Sequence, residues 1–492
     1  MNNKVAIHRL ATGVPGLDVI LDGGLPEYSF NLIIGPPGSG KTTLAHQIMF
    51  ALATKERPAL FFTVLGEPPL KMLRYQQQYA FFDLDKINES IRFVNLSDDV
   101  STGNFDQVLA RITLEVEAFS PVLVFVDSFR SVMLEAQRQP EGTISLQQFI
   151  QQLGIQLTGW QATTFLIGEY LSENETHPVF TVADGILSLN QSVHRNSMVR
   201  KIQILKMRGQ ATSPGVHTFR ITSDGIVVFP SPVIRDDSGA TGAERAPQRG
   251  DTRLSVGVPH LDEMLGGGLP AGYSLLVAGP SGSGKTILAT AFLVEGVRRG
   301  ETGVLVAFEQ TPSQSRTRTI DDMVRAGKIG LINTRSLDLS IDETVQHLTT
   351  LIHQMKATRV VIDSLSGFEL AVAPTFREDF RESLFRMIAA LSSLGVTVLL
   401  SSELEDRYTD LRFSPYGSAF LTDAIIVQRY IEIESRLKRV IAVVKVRGSN
   451  HSNEIRQFEI SDGNIVIGNP VIDYEGLLCG QPSQTSVSET VD

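Results

Sequence analysis

Short runs of apolar residues alternate with longer stretches of helical periodicity along most of the chain. Helical stretches follow the first strand of each half, at 42–52 and 286–297. Apolar strands separated by helices are typical of a mostly parallel sheet with helices on both faces, so we predict an α/β fold. The predicted strands are NLIIG (31–35), ALFFTVL (59–65), PVLVFVD (121–127), TTFLIG (163–168), SLLVAG (274–279), GVLVAFE (303–309), RVVID (359–363) and VTVLLSS (396–402).

The chain contains an internal duplication. TGVPGLDVILDGGLP (12–26) aligns without gaps with VGVPHLDEMLGGGLP (256–270), and the same offset of 244 positions relates Lys41 to Lys285. Two copies of one segment in register indicate two domains of the same plan, which we expect to be tandem RecA-like domains.

The boundaries follow from where the pattern stops. We place the two domains at 1–230 and 253–473. Between them, 231–252 is small, polar and charged without periodicity, which predicts a solvated linker. The last stretch, 474–492, is polar at its end and predicts a flexible tail.

Composition narrows the class of protein. The chain has 492 residues and a net charge of −10, which disfavours a general binder of nucleic acids. Its one cysteine, Cys479, cannot form an internal disulfide. The first residues lack the apolar core of a secretory signal, and no apolar run reaches the length of a membrane helix. We therefore expect a cytoplasmic protein without a membrane partner.

Each half carries a glycine-rich phosphate loop with the pattern G-x-x-x-x-G-K-[ST], at 35–42 and 279–286. The glycines let backbone N–H groups converge on phosphate oxygens, and the following helix directs its positive end at the same anion. Lys41 and Lys285 are expected to contact the β- and γ-phosphates of ATP. The predicted nucleotide-binding residues are Gly35, Gly38, Ser39, Gly40, Lys41, Thr42, Thr43, Gly279, Gly282, Ser283, Gly284, Lys285, Thr286 and Ile287.

A Mg²⁺ site is predicted beside each loop. Thr42 and Thr286 offer hydroxyl groups to the metal. Asp127 and Asp363 each end an apolar strand, where a carboxylate could hold the metal and its water. An aspartate at a strand end is often only a turn residue, but its pairing with a phosphate loop favours the metal role.

The two halves differ where a carboxylate is needed to activate water or a hydroxyl group. Glu309 ends the strand after the loop helix of the second half, and Leu65 takes the same position in the first half. Glu67 could reach that site only if the chain bulges near Gly66, which glycine permits. The sequence therefore predicts two sites that bind alike and react differently.

A K-x-R-G motif closes a strand in each half and places two cations on one side of it: Lys206 with Arg208, and Lys445 with Arg447. Such residues are as often solvated side chains on an edge strand. Their repetition after both phosphate loops favours a role at the γ-phosphate. A ring in which each subunit inserts these cations into its neighbour's site would explain them.

These motifs resemble the KaiC family of tandem RecA-like ATPases, which includes the cyanobacterial clock ATPases and autokinases. The resemblance covers about 5–472 and rests on both phosphate loops, both K-x-R-G strands, the HRLATGVPGLD segment and the paired ITSDG and ISDG segments. It implies a double-ring homohexamer with ATP between subunits. It also implies hydrolysis in the N-terminal ring and Ser/Thr autophosphorylation in the C-terminal ring.

The chain departs from the family at two places. The family carries two adjacent glutamates after the second strand of each half, where this chain has Leu65-Gly66 and Glu309-Gln310. The family's Ser-Thr phosphorylation pair is Ala419-Phe420 here. A clock function therefore does not follow, and the phosphoacceptor stays open. The nearby hydroxyl groups belong to Ser414, Ser418 and Thr422.

We predict an enzyme that hydrolyses ATP with Mg²⁺ and self-associates, with Ser/Thr autokinase activity in the second domain as a further expectation. Two other classes stay open. The altered carboxylate position favours a slow, nucleotide-gated scaffold for signalling or clock-like proteins. A RecA-like DNA motor is disfavoured by the acidic charge and by the lack of a separate DNA-binding module.

The asymmetry of the carboxylates gives a first test. A positioned general base contributes about 10²–10⁴-fold to a rate. Glu309→Gln should therefore abolish most phosphate release by the full-length protein, whereas Glu67→Gln should change it little. If Glu67→Gln is instead the crippling change, the bulge at Gly66 is real and the first domain is the main ATPase.

Overall fold

The computed structural model divides into two compact units, Met1–Val233 and Ile234–Asp492. Residues 232–251, which include nearly all of the predicted linker, lie outside the described residues. In the part of the chain that is described, no helix is both long and apolar enough to cross a membrane. The described residues are 7–64, 69–101, 105–128, 146–169, 178–194, 197–231, 252–308, 318–333, 340–372, 380–404, 421–472, 474–479 and 483–484.

The first unit is built on a nine-stranded sheet with the order β11-β10-β9-β8-β3-β7-β6-β4-β5. Its strands are β1 (Arg9–Leu10), β2 (Leu25–Pro26), β3 (Phe30–Ile34), β4 (Ala59–Thr63), β5 (Ile91–Asn95), β6 (Leu123–Asp127), β7 (Thr163–Gly168), β8 (Gly185–His194), β9 (Ser197–Met207), β10 (His217–Thr222) and β11 (Gly225–Phe229). Its helices are α1 (Leu17–Ile20), α2 (Lys41–Leu52), α3 (Pro69–Gln76), α4 (Ser97–Ser101), α5 (Phe105–Phe119), α6 (Leu146–Gly159) and α7 (Pro178–Val182).

The second unit repeats this plan, with the sheet order β16-β15-β17-β18-β14-β19-β20-β21-β22. Its strands are β12 (Arg253–Leu254), β13 (Leu269–Pro270), β14 (Ser274–Gly279), β15 (Gly303–Ala307), β16 (Ile329–Asn333), β17 (Arg359–Asp363), β18 (Thr397–Glu403), β19 (Ala424–Ile433), β20 (Arg436–Val446), β21 (Arg456–Ser461) and β22 (Asn464–Pro470). Its helices are α8 (Pro259–Met264), α9 (Lys285–Arg298), α10 (Arg318–Arg325), α11 (Ile341–Met355), α12 (Leu365–Ala371) and α13 (Phe380–Ser393).

Strand β3 shows why the centre of the sheet is buried on both faces. All five of its residues are buried, and alternate side chains point to opposite faces. Leu32 packs in a cluster with Ile112 of α5, while Ile33 packs in another with Ile48 of α2. The neighbours β7 and β8 both run parallel to β3. Burial of each such side chain contributes about 1.5–3 kcal/mol, and the α/β prediction is confirmed.

The described residues of the predicted tail, 474–479 and 483–484, contain short secondary structure. Two short strands, β23 (Tyr474–Glu475) and β24 (Ser483–Gln484), pair with each other, and a 3₁₀ turn covers Leu477–Cys479. Leu477 is buried in a cluster with Ile433 of β19. Its apolar side chain therefore anchors a segment whose polar composition predicted flexibility.

Helix α2, which follows the first phosphate loop, carries a fully buried histidine. The ring of His46 lies 4.7 Å from that of Phe61 and 6.2 Å from that of Phe93, measured between centroids. Burial lowers the pKa of His46 to about 3, although the nearby Gln76 side chain acts in the opposite direction. The folded protein therefore holds this ring neutral, whereas the unfolded chain protonates it near its ordinary pKa of about 6.5.

This difference predicts acid sensitivity of the first domain. Between pH 6.5 and 3 the unfolded state binds the extra proton, so the free energy of unfolding falls as the pH falls through this window. From pH 7 to pH 5 the loss should be about 2 kcal/mol. His46→Leu should remove it, as measured by urea unfolding followed through Trp160, the one tryptophan of the chain.

The exposed His8 supplies the matched control, and His8→Leu should keep the pH dependence of the wild type. An equal pH dependence in His46→Leu and the wild type would contradict the assignment.

Candidate functional site

Each phosphate loop joins the carboxyl end of a central strand to the first residue of a helix. Helix α2 begins at Lys41 and α9 begins at Lys285. The residues just before them, Gly40 and Gly284, have φ angles of 101° and 105°, in the left-handed region that glycine adopts without strain. Both loops therefore direct the positive end of a helix into the site where a phosphate group would bind.

The first glycine of each loop is required by close packing against the next strand. A Cβ atom on Gly35 would lie 1.9 Å from the carbonyl oxygen of Leu189 in β8. On Gly279 it would lie 2.7 Å from Ser283 Oγ and 2.9 Å from the carbonyl oxygen of Gln428 in β19. Any larger residue would push the loop away from the sheet and change the shape of the site.

The two lysines are buried and curl back over their own loops. Lys41 Nζ donates to the carbonyl oxygen of Pro36 at 2.8 Å. Lys285 Nζ donates to those of Gly279 at 2.9 Å and Pro280 at 2.8 Å. Burial lowers the pKa of both lysines, and neighbouring carboxylates act in the opposite direction. Such a partly desolvated cation is well placed to receive an anion.

In the first domain the predicted metal-binding pair lies together. Thr42 Oγ1 donates to Asp127 Oδ2 at 2.7 Å. Burial raises the pKa of Asp127 to about 6, while the hydrogen bond from Thr42 and the charge of Lys41 act to lower it. Two adjacent oxygen donors fit Mg²⁺ that arrives with a nucleotide, because Mg²⁺ prefers oxygen ligands and is shared with the phosphates.

The second domain arranges its aspartate differently. Asp363 is buried at the end of β17, the position that Asp127 has at the end of β6, and it accepts a hydrogen bond from Ser401 of β18. Thr286 follows Lys285 in the first turn of α9. Among the residues that the structure describes, there is no group of three or more His, Cys, Asp or Glu side chains that could hold a metal.

A cavity of about 420 Å³ opens beside the first phosphate loop. A volume of this size is typical of small-molecule sites. The cavity brings together the loop, the end of β6 and the end of β7. Its lining residues are Gly38, Gly40, Lys41, Thr42, Thr43, Thr63, Met72, Tyr79, Asp127, Ser128, Glu169 and Ile221.

Two carboxylates beside the loops were missed by sequence reasoning. Glu169 directly follows β7 and lines the cavity, and Glu403 is the last residue of β18. Strand β7 lies next to β3, and β18 lies next to β14. The sequence does carry a signal for them, because TTFLIG and VTVLLSS are both predicted strands and a glutamate directly follows each.

The loops also differ in how their serine is held. Ser283 Oγ donates to Gln428 Oε1 at 3.1 Å. The residue at the same place on β8 is Leu189, since Gly35 and Gly279 approach Leu189 and Gln428 respectively. Ser39 Oγ is consequently buried with no hydrogen-bond partner among the described residues. The serine of the second loop is therefore tied to its sheet by a side-chain hydrogen bond that the serine of the first loop lacks.

The K-x-R-G cations lie at the opposite edge of each sheet from their own phosphate loop. Met207 of β9 pairs with Gly185, and Gly185 pairs with Asn31 near the start of β3. The loop lies beyond the other end of β3, about 16 Å away for five extended residues. Lys206 and Arg208 therefore do not meet the site of their own domain.

Local contacts hold these cations at that edge. Lys206 Nζ donates to the carbonyl oxygens of Phe180 and Thr181, at 3.1 and 3.2 Å. Arg208 Nη1 lies 3.2 Å from Asp184 Oδ1, and its side chain is largely exposed.

The second domain repeats this arrangement. Lys445 Nζ donates to the carbonyl oxygen of Thr422 at 2.7 Å. Arg447 Nη1 lies 3.6 Å from Asp423 Oδ1, again with an exposed side chain. In both domains the arginine is thus available at the surface.

Several predicted positions lie outside the described residues. These include both candidate carboxylates, Glu67 and Glu309, and the Ala419-Phe420 pair. The predicted difference between the two sites at these glutamates therefore stays a prediction. Ser414 and Ser418 also lie outside the described residues, whereas Thr422 is described and fully buried.

Comparisons with known proteins agree with this geometry. The chain is 29% identical to the circadian clock oscillator protein KaiC of Picosynechococcus sp. (strain ATCC 27264 / PCC 7002 / PR-6), over 98% of this chain and 94% of that protein. It is 29% identical to the KaiC of Rippkaea orientalis (strain PCC 8801 / RF-1), over 99% and 94%. It is 28% identical to the circadian clock protein KaiC3 of Synechocystis sp. (strain ATCC 27184 / PCC 6803 / Kazusa), over 98% and 96%.

The model of one protein family, described as "ATPase: KaiC", matches the chain twice, at 10–233 and 254–471. The two matches cover the two nine-stranded sheets, so the fold is a tandem pair of RecA-like domains. The chain therefore belongs to the KaiC family of ATPases.

Proposed function

We propose that the protein hydrolyses ATP with Mg²⁺ at sites shared between the subunits of a homohexameric ring. One observation carries the proposal: each domain has a complete phosphate loop at one edge of its sheet and its exposed K-x-R-G arginine at the other. A single chain cannot bring these parts together within one domain. A neighbouring copy can, because head-to-tail contacts join opposite faces of identical subunits.

Within each site the binding roles follow from the loop geometry. In the first domain Lys41 would leave the carbonyl oxygen of Pro36 and bind the β- and γ-phosphates, aided by the N-terminus of α2. Thr42 and Asp127 would hold Mg²⁺, which when bound neutralises phosphate charge. Lys285, Thr286 and Asp363 are proposed for the same roles in the second domain.

The cations of the neighbouring subunit would complete each site. Arg208 and Arg447, with Lys206 and Lys445, are proposed to approach the γ-phosphate from outside and stabilise the charge that develops during transfer. Glu309 stays our candidate for activating water or a hydroxyl group in the second domain. Glu67 stays the weaker candidate in the first domain.

A Ser/Thr autokinase activity of the second domain is a further part of the proposal. Curated relatives are named as circadian clock proteins, and the family resemblance implies autophosphorylation. Thr422 is a poor phosphoacceptor because it is fully buried, which leaves Ser414 and Ser418 as candidates. Intact-mass spectrometry after incubation with Mg-ATP tests this, and a mass unchanged by ATP would contradict it.

A slow, nucleotide-gated scaffold is the second candidate. It is favoured by Leu65, which replaces a carboxylate in the first domain. In that case ATP in the first site would mainly hold the ring together, as a ligand that binds the assembled state. The turnover number of each domain separates the two candidates. A cytoplasmic location and clock-like protein partners stay predictions.

The shared site predicts that assembly depends on ATP. At micromolar protein concentration, the molar mass of the particle should rise when Mg-ATP is added. The reason is that each nucleotide would be bound by two subunits at their interface. Light scattering after size-exclusion chromatography, with and without Mg-ATP, measures this. A monomer under both conditions would contradict the shared site.

Arg447 provides a sharper test of the second domain. Arg447→Ala should keep ATP binding and lower turnover or phosphotransfer by about tenfold or more, because the guanidinium group acts mainly on transition-state charge. Arg325→Ala is the matched control, since Arg325 is exposed on α10 and pairs with Asp322 of the same helix. Equal turnover by the two variants would make Arg447 an ordinary surface residue.

A further inference from the structure

Glu169 and Glu403 occupy the same place in the two domains. Gly168 lies opposite Ile34 in the parallel pairing of β7 with β3, and Ser402 lies opposite Ala278 in the pairing of β18 with β14. The residue that follows Gly168 and the residue that follows Ser402 are the two glutamates. Glu403 is paired with Gly279, the first glycine of its loop. Each carboxylate therefore sits one strand away from the start of a phosphate loop.

Both glutamates act on the phosphate-loop lysine. Among the charges that raise the pKa of Lys41 against burial, Glu169 comes before Asp127. For Lys285 the order is the same, with Glu403 before Asp363. In the first domain Glu169 also shares the wall of the cavity with Lys41, Thr42 and Asp127. Each lysine thus interacts electrostatically with two carboxylates, the strand-end aspartate and the glutamate on the strand next to the loop strand.

A binding role does not explain a carboxylate at this place. A negative charge beside a site for ATP repels the phosphates and weakens binding. The glutamate is nevertheless present in both halves, although its neighbours differ: Gly168 precedes it in one half and Ser402 in the other. A carboxylate that opposes substrate binding is expected where it takes part in the chemistry, because only interactions stronger in the transition state raise the rate.

The first domain lacks the carboxylate that is predicted to activate water in the second domain. Leu65 replaces the carboxylate that Glu309 supplies in the second domain. Glu169, in contrast, already lines the first cavity with the phosphate-loop lysine.

We propose that Glu169 holds and deprotonates the attacking water in the first domain, and that Glu403 holds the corresponding water in the second. The inference rests on the proposed ATP hydrolysis. The water oxygen forms a bond to the γ-phosphorus, and the bond from that phosphorus to the β–γ bridging oxygen breaks. ADP leaves, and the water proton passes to Glu169 and then to solvent. The two sites are therefore less different than Leu65 and Glu309 indicate.

The test isolates each site in the full-length protein. In a Lys285→Ala background, which disables the second loop, Glu169→Gln should lower kcat for ATP by about 10²–10⁴-fold without raising KM. It should tighten binding of a non-hydrolysable ATP analogue, because a charge next to the γ-phosphate is removed, and leave ADP affinity unchanged. Glu169→Asp, which keeps the carboxylate, should retain part of the activity.

Two comparisons complete the design. Glu117→Gln, an exposed residue of α5, is the matched control and should behave as its Lys285→Ala parent. In a Lys41→Ala background, Glu403→Gln should lower kcat less than Glu169→Gln does in the first site, because Glu309 would still be present.

The outcomes separate the inference from the proposed function. Tighter analogue binding by Glu169→Gln with unchanged kcat would overturn the inference and leave hydrolysis intact. If Glu169→Gln does not fold, the test depends on Glu169→Asp. Full activity of Glu169→Asp, with unchanged affinities for nucleotide, would also contradict the proposed role of Glu169 at the attacking water. Absence of turnover in the wild-type protein would overturn the proposed hydrolysis and this inference together.

Discussion

The parallel pairing of the phosphate-loop strand with its neighbours is the constraint on which each site depends. In the first domain β3, β7 and β6 lie side by side, so their carboxyl ends meet at one edge. That edge gathers the loop lysine, Glu169 and Asp127, which are far apart in the chain. With strands about 4.8 Å apart, three neighbouring ends fall within the reach of one triphosphate. Apolar burial on both faces keeps β3 in the centre of the sheet, between the neighbours with which its carboxyl end lines up.

Much of this arrangement could be read from the sequence. Apolar runs between helical stretches predicted the parallel sheets, and the glycine pattern located both loops. Thr42 and Asp127 could be paired in advance because each belongs to a motif with a known partner, and they lie 2.7 Å apart. These features depend on local sequence or on strand ends, which hydrophobic patterning locates well.

The rest could not be predicted because it depends on strand order. In the chain β4 follows the loop helix directly, and this order predicts the catalytic carboxylate at the end of β4. In the sheet β7 and β6 lie between β3 and β4, and Glu169 is consequently one strand from the loop. The same limit applies to Lys206 and Arg208. The sequence predicts their strand. Only the antiparallel pairing of β9 with β8 shows that these two side chains lie at the edge of the sheet opposite the phosphate loop.

One carboxylate in each domain joins the two edges. Asp184 meets Arg208 through one oxygen and accepts a hydrogen bond from the backbone of Phe30, where β3 begins, through the other. Asp423 does the same for Arg447 and Ser274. The arginine that a subunit would offer to one neighbour is thereby connected, through this aspartate, to the strand that carries the subunit's own phosphate loop. In a closed ring, a displacement at one subunit interface would be transmitted through this strand to the next interface. The nucleotide sites around the ring would then be mechanically coupled.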